Sequence, residues 1–121
     1  MAEILIADDD PILVEILKFR LEGAGYSVSV SRDGEQAIAA ARADPPDLVV
    51  LDSMMPIISG PEVLTQLKSD PELCRIPVVM LTARDGEADI IAGLKSGAAE
   101  YLTKPFIPQE LLVRISGLLS R

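Results

Sequence analysis

The sequence predicts an α/β sandwich built on a parallel sheet, and three observations carry that expectation. Short branched apolar runs alternate five times with helical stretches along 121 residues. That is the order in which a doubly wound sheet with right-handed crossovers is laid down. The run Leu48-Val49-Val50-Leu51 is apolar at every position, as a strand covered on both faces must be. No linker, repeat or low-complexity tract divides the chain, so one domain spanning 1–121 is expected, with no output domain attached.

Ile4-Leu5-Ile6-Ala7 reads as the first strand and stops at Asp8-Asp9-Asp10. Asp10 is the expected N-cap of a helix opening at Pro11, where a missing N–H costs nothing. The helix should run to about Glu22, stopped by Gly23 and Gly25. Tyr26, Val28 and Val30 alternate with Ser27, Ser29 and Ser31, the pattern of a half-exposed second strand. Asp33 and Gln36 form a capping-box pair for an alanine-rich helix that ends before Pro45-Pro46. The third strand follows and ends at Asp52. Ser59 is expected to cap a helix starting at Gly60-Pro61-Glu62, with Val63, Leu64 and Leu67 on one side. Pro77-Val78-Val79-Met80-Leu81-Thr82 is the fourth strand, and 86–96 the fourth helix, closed by Gly97. Glu100-Tyr101-Leu102-Thr103 is the fifth strand, running into Lys104-Pro105. A last helix opens at Pro108 and should bury Leu111, Leu112, Ile115, Leu118 and Leu119.

Composition removes several classes of function. The chain has no histidine and the single cysteine Cys74. An internal disulfide, a Cys/His metal site and catalysis by a histidine base are therefore excluded. A net charge of −8 opposes binding to nucleic acid. No apolar run approaches the ~20 residues of a membrane span, and Met1-Ala2-Glu3 leads straight into a strand rather than a signal peptide. A cytoplasmic domain is expected. Aromatic residues make up only 3% of the chain, too few to sandwich a flat cofactor.

The chemically suggestive residues fall just past the strands. Asp8 and Asp9 follow the first, Asp52 ends the third, Thr82 the fourth, and Lys104 follows the fifth. In an open parallel sheet these points share one edge, where ligands gather. Three carboxylates drawn together repel one another and resist ionisation. A hard divalent cation removes that penalty, and Mg²⁺ binds through carboxylates and phosphate oxygens, with Mn²⁺ an acceptable substitute. Asp52 could then stay ionised and attack phosphorus. The charge on the transferred oxygens would meet the metal, the Lys104 ammonium, the Thr82 hydroxyl and the backbone N–H groups of Ser53, Met54 and Ala83. This inventory suffices to make an aspartyl phosphate.

Asp8-Asp9 after a strand, Leu51-Asp52 with Met55-Pro56 and Gly60 behind it, Leu81-Thr82-Ala83, and Tyr101-Leu102-Thr103-Lys104-Pro105-Phe106 together resemble the receiver domain of bacterial response regulators. The resemblance covers the whole chain. It implies a flavodoxin-like fold with strand order 2-1-3-4-5 and five helices. It implies that Asp52 takes a phosphoryl group from a phosphohistidine on a sensor histidine kinase or phosphotransfer protein. Asp8, Asp9, Asp52 and the Met54 carbonyl would hold Mg²⁺, and a cis Lys104–Pro105 bond would aim the ammonium at Asp52. The family's switch would couple Thr82 to Tyr101 and remodel the surface of the fourth helix, fifth strand and fifth helix. A downstream target protein or output domain would read that surface, and a phosphorylation-dependent dimer through the last helix and strand is compatible with it. Met54 and Arg84 stand at the variable positions two beyond Asp52 and Thr82 that tune phosphoryl lifetime in this family. The domain would signal rather than turn over a substrate, catalysing only its own phosphorylation and dephosphorylation.

The first helix carries a further expectation. Ile12, Leu13, Val14, Ile16, Leu17, Phe19 and Leu21 spread over more than half its circumference, wider than one face on a sheet needs. The excess, represented by Ile12, Leu13 and Ile16, would be exposed and seat the phosphodonor; the alternative is a deeply buried first helix. Three rival functions remain. Asp8-Asp9-Asp10 contains the Asp-x-Asp pattern of haloacid-dehalogenase-type phosphatases, with Asp8 as nucleophile and Asp10 as acid-base, although Pro11-Ile12 fits that motif poorly. A flavin carrier would need a hydroxyl-rich phosphate loop where this chain puts three negative charges. A receiver-like scaffold that is never phosphorylated is the third.

Overall fold

The computed structural model describes residues 2–82 and 97–120. The expected fourth helix at 86–96, together with Ala83 and Arg84, lies outside the described residues. Five strands, β1 (Glu3–Ala7), β2 (Ser27–Ser31), β3 (Leu48–Asp52), β4 (Val78–Thr82) and β5 (Glu100–Thr103), form one parallel sheet in the order β2-β1-β3-β4-β5. The described residues also form α1 (Pro11–Gly23), α2 (Gly34–Ala43), α3 (Gly60–Ser69) and a C-terminal helix (Pro108–Leu119).

Strand pleating sorts the core into two layers. Leu5, Ala7, Val49, Leu51, Val78 and Met80 face α2 and α3, whereas Ile4, Ile6, Leu48, Val50, Val79, Leu81 and Leu102 face α1 and the C-terminal helix. Both layers are fully buried along β3 and β4, which is why those strands are apolar at consecutive positions. β2 sits at the edge and keeps its serine–valine alternation half in water.

Local signals act largely as expected. Asp10 Oδ1 accepts from the N–H groups of Ile12 (3.0 Å) and Leu13 (3.3 Å). α1 ends with Gly25 at φ +97°, Tyr26 N–H donating to Leu21 O and Gly25 N–H to Glu22 O, a Schellman closure. In the capping box Asp33 receives the Gln36 N–H, while Gln36 reaches back to the N–H of Arg32 rather than of Asp33. Two expectations are corrected. Ser59 stands at the N-cap of α3 but makes no side-chain cap hydrogen bond, because Pro61 in the first turn removes one N–H that a cap would serve. In the C-terminal helix Leu111, Ile115 and Leu118 are buried, whereas Leu112 and Leu119 are only partly covered at the margin of the stripe.

α1 buries only Val14, Leu17 and Leu21, so the deeply buried alternative does not hold. Ile12 is 73%, Ile16 45% and Phe19 73% exposed, while Leu13 packs partly against the core.

Candidate functional site

Register assembles the site. Ala7 pairs with Leu51, Asp52 with Leu81 and Thr82 with Thr103, so Asp8, Asp52, Thr82 and Lys104 emerge side by side at the carboxyl edge of the sheet. Asp8 and Asp52 are buried and Asp9 is exposed. One oxygen from each of these three carboxylates lies within 4.8 Å of the other two. The Lys104 ammonium bridges the two buried ones, 3.2 Å from Asp8 Oδ2 and 3.3 Å from Asp52 Oδ1, and the Lys104–Pro105 peptide is cis.

The two buried acids are held differently. Asp8 accepts the Asp10 N–H on Oδ1 (2.9 Å) and Lys104 on Oδ2, so both of its oxygens are engaged and it is a poor nucleophile. Among the described residues Asp52 receives only a long contact from the Met54 N–H (3.4 Å) besides the lysine, and it opens into a cleft of about 500 Å³. Asp10, Leu13, Met54, Pro105 and Phe106 complete the lining. Burial, reinforced by the charge of Asp8, raises the Asp52 carboxyl to about 6 despite the opposing pull of Lys104 and the Met54 N–H. Burial works to lower the Lys104 pKa, but the charges of Asp52 and Asp8 outweigh it and hold the ammonium above its ordinary value.

The donor set fits a hard cation. All three side chains offer carboxylate oxygen, they crowd within one coordination sphere, and among the described residues a single lysine leaves their negative charge in excess.

Thr82 completes one side of the hollow. Its hydroxyl is buried and has no hydrogen-bond partner among the described residues. An orphaned buried hydroxyl costs roughly 1–3 kcal/mol. We expect Thr82→Val, which keeps the shape and deletes the orphan, to raise resting stability by about 1 kcal/mol in urea unfolding. Lower stability in the valine variant would show that the hydroxyl is already satisfied. Of the backbone donors expected to face a phosphoryl group, Ser53 already has a partner. Its N–H is taken by Leu81 O at 2.9 Å in continuation of the strand ladder, which leaves the Met54 N–H. Ala83 lies outside the described residues. Tyr101 pairs in register with Met80 and packs partly buried on the α2–α3 layer.

The loop from Ser53 to Ser59 holds what the sequence reading missed. Gly60 N–H donates to Ser53 O (3.1 Å), and a Cβ on Gly60 would lie 2.2 Å from Asp52 O. Only glycine lets α3 start so close to the strand end. Ile58 N–H donates to Pro56 O (2.8 Å) around Ile57 at φ +72°, the strained form of the γ-turn. The positive φ had no signal, since a β-branched residue is among the least suited to it.

Comparisons with known proteins agree with this geometry. Residues 4–116 match the family model of the response regulator receiver domain. The chain is 43% identical over 119 residues to the alkaline phosphatase synthesis transcriptional regulatory protein PhoP of Bacillus subtilis (strain 168), covering 98% of this chain and 49% of PhoP. It thus spans about half the length of the curated relatives it matches. The receiver domain of the Francisella response regulator 1452 superposes with a TM-score of 0.93 at 36% identity, covering 100% of this chain and 98% of that one. The receiver domain of the sensor histidine kinase PA1611 from Pseudomonas aeruginosa PAO1, with a magnesium ion coordinated in its active-site cleft, gives 0.90 at 28% identity over 99% and 98% of the two chains. With the sheet order, the acidic hollow and these matches in agreement, the chain belongs to the response regulator receiver domain family, the phosphoacceptor signalling modules of two-component systems.

Proposed function

We propose that Asp52 is the phosphoacceptor and that it is loaded from a phosphohistidine. The observation that carries this reading is the contrast between the two buried acids. Asp8 has both oxygens engaged, whereas Asp52 faces the cleft with Lys104 beside it. Asp8, Asp9, Asp52 and the Met54 carbonyl would hold Mg²⁺, or Mn²⁺ in its place, as the magnesium seen in the PA1611 receiver supports. That ion supplies charge neutralisation to the phosphoryl oxygens. An Asp52 oxygen attacks phosphorus while the bond from phosphorus to the donor's imidazole nitrogen breaks. The imidazole leaves with that electron pair and takes a proton from water. Lys104 balances the charge carried onto the transferred oxygens, the Met54 N–H donates to one of them, and the Thr82 hydroxyl finds in another the acceptor it lacks. The chain turns over no other substrate.

Repositioning of Thr82 would pass to Tyr101, its diagonal neighbour on the same sheet face, and from there to the surface that a target protein or output domain reads. A phosphorylation-dependent dimer through β5 and the C-terminal helix is one form such a readout takes. The domain is assigned to the cytoplasm, where a phosphohistidine donor would reach it, as a single receiver unit over 1–121.

The decisive experiment incubates the protein with Mg²⁺ and acetyl phosphate, traps any acyl phosphate with borohydride and maps the peptide. Label at Asp52 is expected. Label at Asp8 would instead support the phosphatase reading, and no label would support the scaffold.

Ile12 and Ile16, exposed on α1, together with the half-buried Leu13 that lines the cleft, form the expected seat for the phosphodonor. Ile12→Asp tests this more cleanly than a change at Leu13, which also packs on the core. Transfer from a phosphorylated kinase or phosphotransfer protein should slow about tenfold, the loss of one well-packed apolar anchor. Labelling by acetyl phosphate should stay within twofold; equal slowing of both routes would exclude the docking role.

A further inference from the structure

We infer that Gly34, at the start of α2, is a positioning residue for the Asp52 site, acting through the loop that carries Met54. This rests on the phosphoacceptor reading above and extends it to a residue eighteen positions away in sequence. A Cβ built on Gly34 would lie 2.3 Å from Ile58 O, 2.8 Å from Ile58 Cβ and 2.9 Å from Ile58 C. Two of these three atoms are backbone, so no flexible side chain can yield. Gly34 N–H also points at Pro56 O, at 3.5 Å, the same carbonyl that Ile58 N–H closes onto at 2.8 Å. The start of α2 therefore bears directly on the γ-turn at Ile57.

The loop is pinned at two places. Gly60 fixes its end against Asp52 and Ser53, and Gly34 fixes its middle at Pro56 and Ile58. Met54 lies between the strand end and the Gly34 pin, and its N–H reaches Asp52 Oδ1. A left-handed β-branched residue persists only where its surroundings over-determine it. Gly34 supplies part of that surrounding by letting the backbone of α2 approach. A methyl group there must push Ile58 outward by about 1 Å to reach ordinary contact. That displacement would move the loop on which Met54 rides while leaving Asp8, Asp9, Asp52 and Lys104 untouched.

The test compares Gly34→Ala with Gly117→Ala, since Gly117 on the C-terminal helix has open space around its Cβ position. Mg²⁺ is titrated into each ¹⁵N-labelled protein without any phosphodonor, and the Met54 and Asp9 amide resonances report the apparent Kd. Labelling at Asp52 by acetyl phosphate is measured separately as a function of Mg²⁺. Gly34→Ala should weaken the apparent Kd and raise the Mg²⁺ needed for half-maximal labelling, both about tenfold, while Gly117→Ala stays within twofold. Ile115→Val, a core destabilisation far from the loop, should also stay within twofold, which separates positioning from general stability. A folded Gly34→Ala protein with unchanged Mg²⁺ binding would overturn the inference. Should that variant not fold, Gly34→Ala/Ile58→Gly removes the clashing Cβ and frees the peptide to turn away. With the clash relieved it should bind Mg²⁺ within twofold of wild type, and a folded double variant that binds tenfold more weakly would overturn the inference. If wild type binds Mg²⁺ but takes no label, the phosphoacceptor reading fails while the resonances still decide the role of Gly34.

Discussion

Asp52→Asn should lose all phosphoryl label and, without metal, be more stable than wild type at pH 8. The first loss follows because a carboxamide is not a nucleophile toward phosphorus at neutral pH. The gain follows from burial. The folded-state carboxyl sits at about 6 against 3.8 for the free group, so the fold disfavours the ionised form. Above pH 6 this detracts fully from stability; the penalty shrinks as pH falls toward 3.8 and is gone below it. A shift of about two pH units corresponds to roughly 3 kcal/mol. In this size range that is on the order of ten degrees in Tm. Thermal unfolding in chelator should therefore show the asparagine variant well above wild type at pH 8 and the two converging by pH 4. Added Mg²⁺ should close much of the gap at pH 8 by stabilising wild type more. A variant less stable than wild type at pH 8 in chelator would refute the electrostatic account, and label elsewhere in the variant would refute the chemical one.

Lys104→Ala should act in the opposite direction on stability and the same direction on chemistry. Its ammonium sits between two buried carboxylates at 3.2 and 3.3 Å. Removing it leaves both uncompensated, a change that costs about 3–5 kcal/mol in fully buried pairs. Because Lys104 itself is partly exposed, about 2 kcal/mol is the expected loss in chelator at pH 7. Mg²⁺ should recover much of that loss, since a cation replaces a cation. It should not recover the labelling rate, which falls roughly 10²–10³-fold with loss of one preorganised charge on the transferred oxygens. Lys104→Arg should recover stability better than rate, because a planar fork does not occupy the place of a compact ammonium. Urea unfolding and acetyl phosphate labelling, each with and without Mg²⁺, check all of this. Undiminished labelling in the alanine variant would remove Lys104 from the mechanism.

The acids and the lysine could be read from the sequence because each falls at or just past the end of a strand, and parallel register then brings those ends together. The strand order came from resemblance to a family rather than from any pattern in the residues. What stayed hidden depends on contacts between segments. Nothing local marks Ile57 for a positive φ or Gly34 for contact with Ile58. The spent N–H of Ser53 follows from the ladder running one residue past β3. Nor does anything local mark Lys68, whose ammonium donates to Cys74 O (3.0 Å) and Ile76 O (2.9 Å) and whose pKa burial lowers. Composition could expose the excess apolar surface of α1, but only packing decides that Leu13 is half covered while Ile12 and Phe19 stand in water.

The pleat has one more consequence. Asp8, Asp52 and Lys104 continue the rows of side chains on the α1 side of the sheet, whereas Thr82 continues the row of Val78 and Met80 on the other. On the proposed reading, a group added at this edge would straddle the laminate like a rivet, gripped from above by charge and from below by a hydroxyl. What docks on the upper ply would then be felt through Tyr101 on the lower.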